Sequence, residues 1–187
     1  PIWRESSDRT KQQKQRERLQ KENANVKTAL EKKGYVPTGD PLIDGFAALR
    51  HDPVLFVKEI LGAEPEQWQV EFLEAIRDNK YISVRSGNSV GKTCAIAWAS
   101  IWALTTHFPV KIAVTAPTSK QLEGAYFSEL RKWFGKLPQH IKSQYEITSE
   151  RVYNKEHEGE CWLRPITASR DTPEAFQGIY EENVFFF

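Results

Sequence analysis

The spacing of hydrophobic positions changes several times along the chain, and each change predicts a different kind of element. From Ser6 to Gly34 the sequence is polar nearly all round, with Leu19, Val26 and Leu30 as its few apolar points. A helix over 8–33, stopped by Gly34, would bury little and would fray or dock on something. "GYVPTGD" then reads as a linker. Two Asp-Pro pairs follow, Asp40-Pro41 and Asp52-Pro53, each with an N-cap acceptor ahead of a proline suited to the first helical position. They predict short helices over 41–50 and 53–61, the second closed by Gly62. "PEQWQVEFLEAIRDN" puts Trp68, Phe72 and Ile76 along one helical face.

Beyond that point apolar runs alternate with helical patterns. "YISVR" (81–85) reads as a buried strand, "GKTCAIAWASIWALTTH" as an apolar helix and "KIAVTAP" as a second buried strand. "TSKQLEGAYFSELRKWFGKL" is an amphipathic helix opened by Thr118 or Ser119. "RVYNKEHEGECWLRPITAS" suggests two strands joined through an exposed turn, and "NVFFF" begins another buried strand. Strands without polar alternation, separated by helices, imply an α/β fold whose mostly parallel sheet is covered by helices on both faces. The expected organisation is an arm and linker over 1–39, a helical lead-in over 40–79 and an α/β core over 80–187.

Composition narrows the class. The longest apolar run, from Cys94 to Leu104, is about half the length of a membrane span, so no membrane association is expected. The two cysteines, Cys94 and Cys161, lie in no CxxC or His/Cys cluster, which fits a reducing cytoplasm. The net charge of +1 conceals an asymmetry: residues 1–33 hold 10 Lys/Arg against 5 Asp/Glu, and the remainder 16 against 20. A basic arm thus precedes a mildly acidic domain.

The candidate chemistry lies between "YISVR" and the apolar helix, in Ser86, Gly87, Asn88, Ser89, Val90, Gly91, Lys92 and Thr93. A phosphate chain needs closely approaching donors, which a Gly-containing loop supplies from its backbone N–H groups, aided by the positive end of the following helix. In such a loop Lys92 would reach the β- and γ-phosphates of ATP and the Thr93 hydroxyl would ligate Mg²⁺. The usual pattern has Gly where this chain has Ser86, with Gly87 next, so the strict motif fails by one residue.

From about Asp40 onward the chain resembles the large subunit of a tailed-phage DNA-packaging terminase. The likeness rests on the phosphate loop, on "EQWQVEFLEAI" with Gln69 lying 23 residues ahead of Lys92, on "KIAVTAPTSKQ", and on "ITASRDTPEAFQGIYEENVFFF". It implies an ASCE-type phosphate-loop ATPase core that binds ATP and Mg²⁺, with Trp68 and Gln69 on the adenine side. It also implies a motor driving double-stranded DNA into a procapsid in the cytoplasm of an infected or prophage-carrying bacterium. Its partners would be the DNA, the small terminase subunit, the portal protein and further copies in a ring. In the family an Asp-Glu pair follows the strand corresponding to "NVFFF", and this sequence reads as stopping short of it. Glu181 and Glu182 precede that strand and so belong to its other end. Many terminases carry an Arg inside the loop, where this chain has Asn88, and another where it has Gln177. Arg85 acting in cis and Arg170 in trans are the candidate arginine fingers, each alternatively a surface or strand-end Arg. Two other readings remain: a superfamily-2-like helicase or remodelling ATPase, and a non-catalytic fragment that binds nucleotide or a partner.

Other residues are set aside. His51, His107, His140 and His157 share no ligand spacing, and Trp98 and Trp102 read as core. Cys94 reads as a small buried residue. Arg131, Lys132 and Lys136 form a modest basic patch, suited to a solvated helix face or to DNA phosphates.

Overall fold

A computed structural model of the chain describes residues 35–87, 90–167 and 178–187, together with position 13. The chain divides into two compact units, Pro1–His51 and Asp52–Phe187. The expected arm over 1–34 lies outside the described residues apart from that single position.

In the first unit, helix α1 (Pro41–His51) begins where Asp40 Oδ1 accepts the amide of Leu42 at 2.8 Å. Asp44, in the first turn, gathers the preceding segment. Its carboxylate accepts from Thr38 N at 2.8 Å, Thr38 Oγ1 at 2.9 Å, Tyr35 Oη at 3.0 Å and Gly39 N at 3.1 Å. The Thr38 amide, followed by the other donors, holds this carboxyl below its ordinary value against the opposing effect of burial. A depressed carboxyl contributes stability above its unfolded-state value, about pH 4, and loses it as pH falls through the lower folded value. An NMR titration should therefore show the Asp44 carboxyl protonating below the ordinary aspartate range, with the Thr38 and Gly39 amides shifting in the same step. Titration at the ordinary value would mean that the four hydrogen bonds do not form in solution.

The second unit opens with α2 (Pro53–Glu59), capped by Asp52 Oδ1 accepting from Leu55 N at 2.9 Å, and with α3 (Gln67–Asp78). The buried line of α3 is Gln69, Leu73 and Ile76, with Trp68 and Phe72 half-buried beside it. Helix α4 (Lys92–Thr106) is apolar round most of its circumference, and ten of its residues are buried. It leads through a cis Phe108–Pro109 peptide into strand β1 (Val110–Ala116).

After β1 the amphipathic segment is not a uniform α-helix. Thr118 caps it, its carbonyl accepting from Gln121 N at 3.1 Å, but Gln121–Tyr126 is a π-helix that closes with Phe127 N–H on Leu122 C=O. It then passes into α5 (Phe127–Phe134) and, after a turn, α6 (Gln139–Lys142). Leu122, Tyr126, Phe127, Leu130 and Phe134 are buried from this stretch. Tyr126 donates its buried hydroxyl to Ser100 Oγ at 2.9 Å, and Ser100 donates to Ile96 C=O at 2.7 Å, so both hydroxyls are satisfied.

Strands β2 (Tyr145–Ile147), β3 (Val152–Asn154), β4 (Cys161–Thr167) and β5 (Asn183–Phe186) complete a five-stranded sheet of order β2-β3-β4-β1-β5 among the described residues. β1 pairs parallel with β4 from Val110↔Cys161 to Ala116↔Thr167, and with β5 from Val110↔Asn183 to Ala113↔Phe186. β3 is antiparallel to both β2 and β4. The fold is therefore mixed α/β, with three parallel strands, β4, β1 and β5, extended beyond β4 by an antiparallel hairpin.

Two expected elements differ. Residues 81–85 form no strand: Tyr81 is 85% exposed, Val84 42% and Ile82 38%. A strand is held by a ladder of hydrogen bonds to a neighbour, and no described strand pairs with this run. β5, expected to be buried, forms the rim of the sheet instead, with Phe186 56% exposed. No helix among the described residues is long and apolar enough to cross a membrane.

Candidate functional site

The position of the loop before α4 follows from how α4 lies on the sheet. Near its C-terminus, Leu104 C=O accepts from Tyr145 Oη at 3.0 Å and from Cys161 Sγ at 3.7 Å, and Cys161 begins β4. That end of α4 therefore sits at the N-terminal ends of β1 and β4. The 15 residues of α4 extend about 22 Å, and the seven of β1 about 23 Å. Gly91 and Lys92 thus come level with the C-terminal ends of the parallel strands. The polar turn after β1 lies at this same edge, Ser119 Oγ meeting Thr167 Oγ1 at 3.3 Å. In open α/β sheets this is the edge where ligands bind.

Gly91 caps α4 in the left-handed conformation, with φ +84°. A Cβ there would stand 3.0 Å from Gln69 Nε2 and 3.9 Å from Trp68 Cζ2, so the backbone conformation favours glycine and a larger residue would press on the end of the Gln69 side chain. The first intrahelical hydrogen bond runs from Ala95 N to Gly91 C=O at 3.0 Å, which leaves the amides of Lys92, Thr93 and Cys94 ahead of the helical ladder. Lys92 folds back and donates from Nζ to the Gly87 carbonyl, clasping loop and helix terminus together. Thr93 is half-buried at the second position of the helix. Ser86 Oγ is 3.5 Å from the Gly87 carbonyl, and Val90 is partly exposed.

The structure brings Trp68, Gln69, Gly91, Lys92 and Gly87 into one neighbourhood. Arg85 lies on the exposed run just before the loop. Asn88, Ser89, Arg170 and Gln177 lie outside the described residues. Glu181 is at the opposite end of the sheet: Lys111, near the start of β1, pairs with Glu181 Oε2 at 3.3 Å and donates to Tyr180 C=O at 2.9 Å.

The neighbouring Cys94 is not set up as a nucleophile. Burial, and then the Glu129 carboxylate, push its thiol up to about 12, so it stays protonated at neutral pH. Two members of the basic patch are engaged locally: Arg131 donates to Thr148 C=O at 3.1 Å, and Lys132 pairs with Glu129 at 3.0 Å.

What the sequence did not disclose is the use made of Gln69. It is 6% exposed, its Oε1 accepts the Glu66 amide at 2.9 Å, and its Nε2 lies 3.5 Å from the Gly91 carbonyl. The signal was present in outline, because an N-cap followed three residues later by Gln is the spacing of a capping box.

These donors suit an anionic phosphate chain: three leading amides of a long helix, an ammonium on the same side and a hydroxyl beside it. Metal ligation from the described residues is sparser. No group of three or more His, Cys, Asp or Glu that could hold a metal ion occurs among the described residues.

No family model, curated protein or solved structure matches the chain.

Proposed function

We propose that this chain is the nucleotide-binding part of an ATP-driven DNA motor of the terminase large-subunit type, built on an ASCE-type phosphate-loop core with helices on both faces of its sheet. The observation that carries the reading is the clasp at the head of α4. There Lys92 turns back onto the Gly87 carbonyl beside a left-handed Gly91, at the C-terminal edge of parallel strands. The narrower terminase assignment rests on the sequence likeness over the phosphate loop, "EQWQVEFLEAI", "KIAVTAPTSKQ" and "NVFFF".

In this reading the loop backbone and the amides opening α4 bind the phosphate chain of ATP, and Lys92 places its charge against the outer phosphates. Thr93 offers its hydroxyl to Mg²⁺, which when bound neutralises phosphate charge. Arg85 in cis and Arg170 in trans remain the candidate charge-stabilising arginines. Double-stranded DNA, the small terminase subunit, the portal protein and a ring of further copies are the proposed partners.

A second reading, nucleotide binding without turnover, is favoured by one specific observation. Glu181 is committed to Lys111 at the far end of the sheet, away from the loop that would need a carboxylate. Titration calorimetry with MgATP, followed by phosphate-release assays with and without duplex DNA, tests both readings. Saturable binding with DNA-stimulated turnover supports the motor. Saturable binding without turnover supports the binding fragment. Absence of MgATP binding overturns both.

A further inference from the structure

We infer that Gln69 is a positioning residue for the phosphate loop and not a reader of the nucleotide base; this rests on the phosphate-loop reading above. A base-reading amide must turn its donor and acceptor toward the ligand edge. Gln69 turns both toward its own chain. Its Oε1 takes the Glu66 amide at 2.9 Å and so fixes the start of α3, while its Nε2 points to the Gly91 carbonyl at 3.5 Å. With 6% exposure, little of the side chain remains on the surface for a ligand.

At 3.5 Å the second hydrogen bond is long, and it is the contact that joins α3 to the head of α4. The space a Cβ would take on Gly91 begins 3.0 Å from Gln69 Nε2, with the Trp68 ring at 3.9 Å behind it. Gln69, with Trp68 beside it on α3, thus lies next to the left-handed residue that opens α4. That residue sets the direction in which the amides of Lys92, Thr93 and Cys94 point. The Gly91 carbonyl is also the acceptor for Ala95 N at 3.0 Å, so Gln69 braces the first hydrogen bond of α4 as well. Helix α3 thus supports the phosphate end of the ligand through Gln69.

This makes a prediction that a base reader does not share. In Gln69→Ala the affinities for MgATP, MgGTP and inorganic tripolyphosphate should fall by a common factor of about 3- to 10-fold. A base reader would lose ATP selectively and leave tripolyphosphate untouched. Gln69→Glu separates the brace from the helix cap. It keeps an oxygen for the Glu66 amide and loses the donor facing Gly91, so unfolding should change little while tripolyphosphate affinity still falls.

Competition calorimetry with the three ligands on wild type and both variants decides the matter. Equal losses establish the positioning role. Selective loss of ATP, or no loss in either variant, overturns it with the phosphate loop intact. Failure of the wild type to bind tripolyphosphate at all overturns the loop assignment itself and the inference with it. Should Gln69→Ala fail to fold, the Gln69→Glu comparison still separates these outcomes.

Discussion

Lys92→Ala is expected to weaken MgATP binding by about 10- to 100-fold, the size of effect that follows from removing one charged donor from a phosphate. The lysine is the first residue of α4, and its ammonium lies over the loop on the Gly87 carbonyl. That contact is solvent-exposed, so its loss should change folding stability by no more than about 0.5 kcal/mol. Tripolyphosphate affinity should fall in parallel, because the missing interaction is with phosphate. Calorimetric titration beside a urea unfolding curve separates the two effects. An unchanged affinity in a fully folded variant would mean that phosphate binds elsewhere on the protein.

Trp102→Ala should carry the largest stability cost, about 3–5 kcal/mol, from the lost transfer of the indole and the cavity left behind. Trp102 is 2% exposed in the middle of α4, its ring edge-on to His107 at 4.8 Å and to Phe185 of β5 at 6.2 Å. One side chain therefore ties the helix that carries the candidate site to the rim strand. Against a usual total of about 5–15 kcal/mol, such a loss brings the protein close to its unfolding threshold. A urea midpoint lowered accordingly, at constant slope, is the expected result. A loss below about 1 kcal/mol would show that the core around α4 can collapse onto the vacated space.

The sequence was informative where one local rule had no competitor. The Asp-Pro pairs marked the starts of α1 and α2, and the unbroken apolar character of α4 and β1 marked elements buried on more than one side. The glycine at the head of α4 was equally legible, since Gly91 takes up a left-handed conformation there. Residues 81–85 were not, because an apolar run reports a capacity to be buried in a sheet, and the ladder itself needs a neighbour that no local pattern names. The π-helix was hidden for a different reason. Leu122, Tyr126, Phe127, Leu130 and Phe134 satisfy an ordinary helical stripe, and one inserted residue leaves that stripe almost unchanged. β2, three residues long, was too short to stand out. Gln69 escaped because its surroundings are assembled from two segments 22 residues apart, and only their meeting shows that the amide is spent internally.

The rim position of β5 has a practical consequence. Asn183–Phe186 pairs with β1 along one side only among the described residues, and Phe186 projects into solvent. This strand is uncharged, aromatic and free of proline, but at four residues it offers another extended chain only a short ladder. Brevity is the shield this rim carries, as an edge lysine, a bulge or a covering helix is in other sheets.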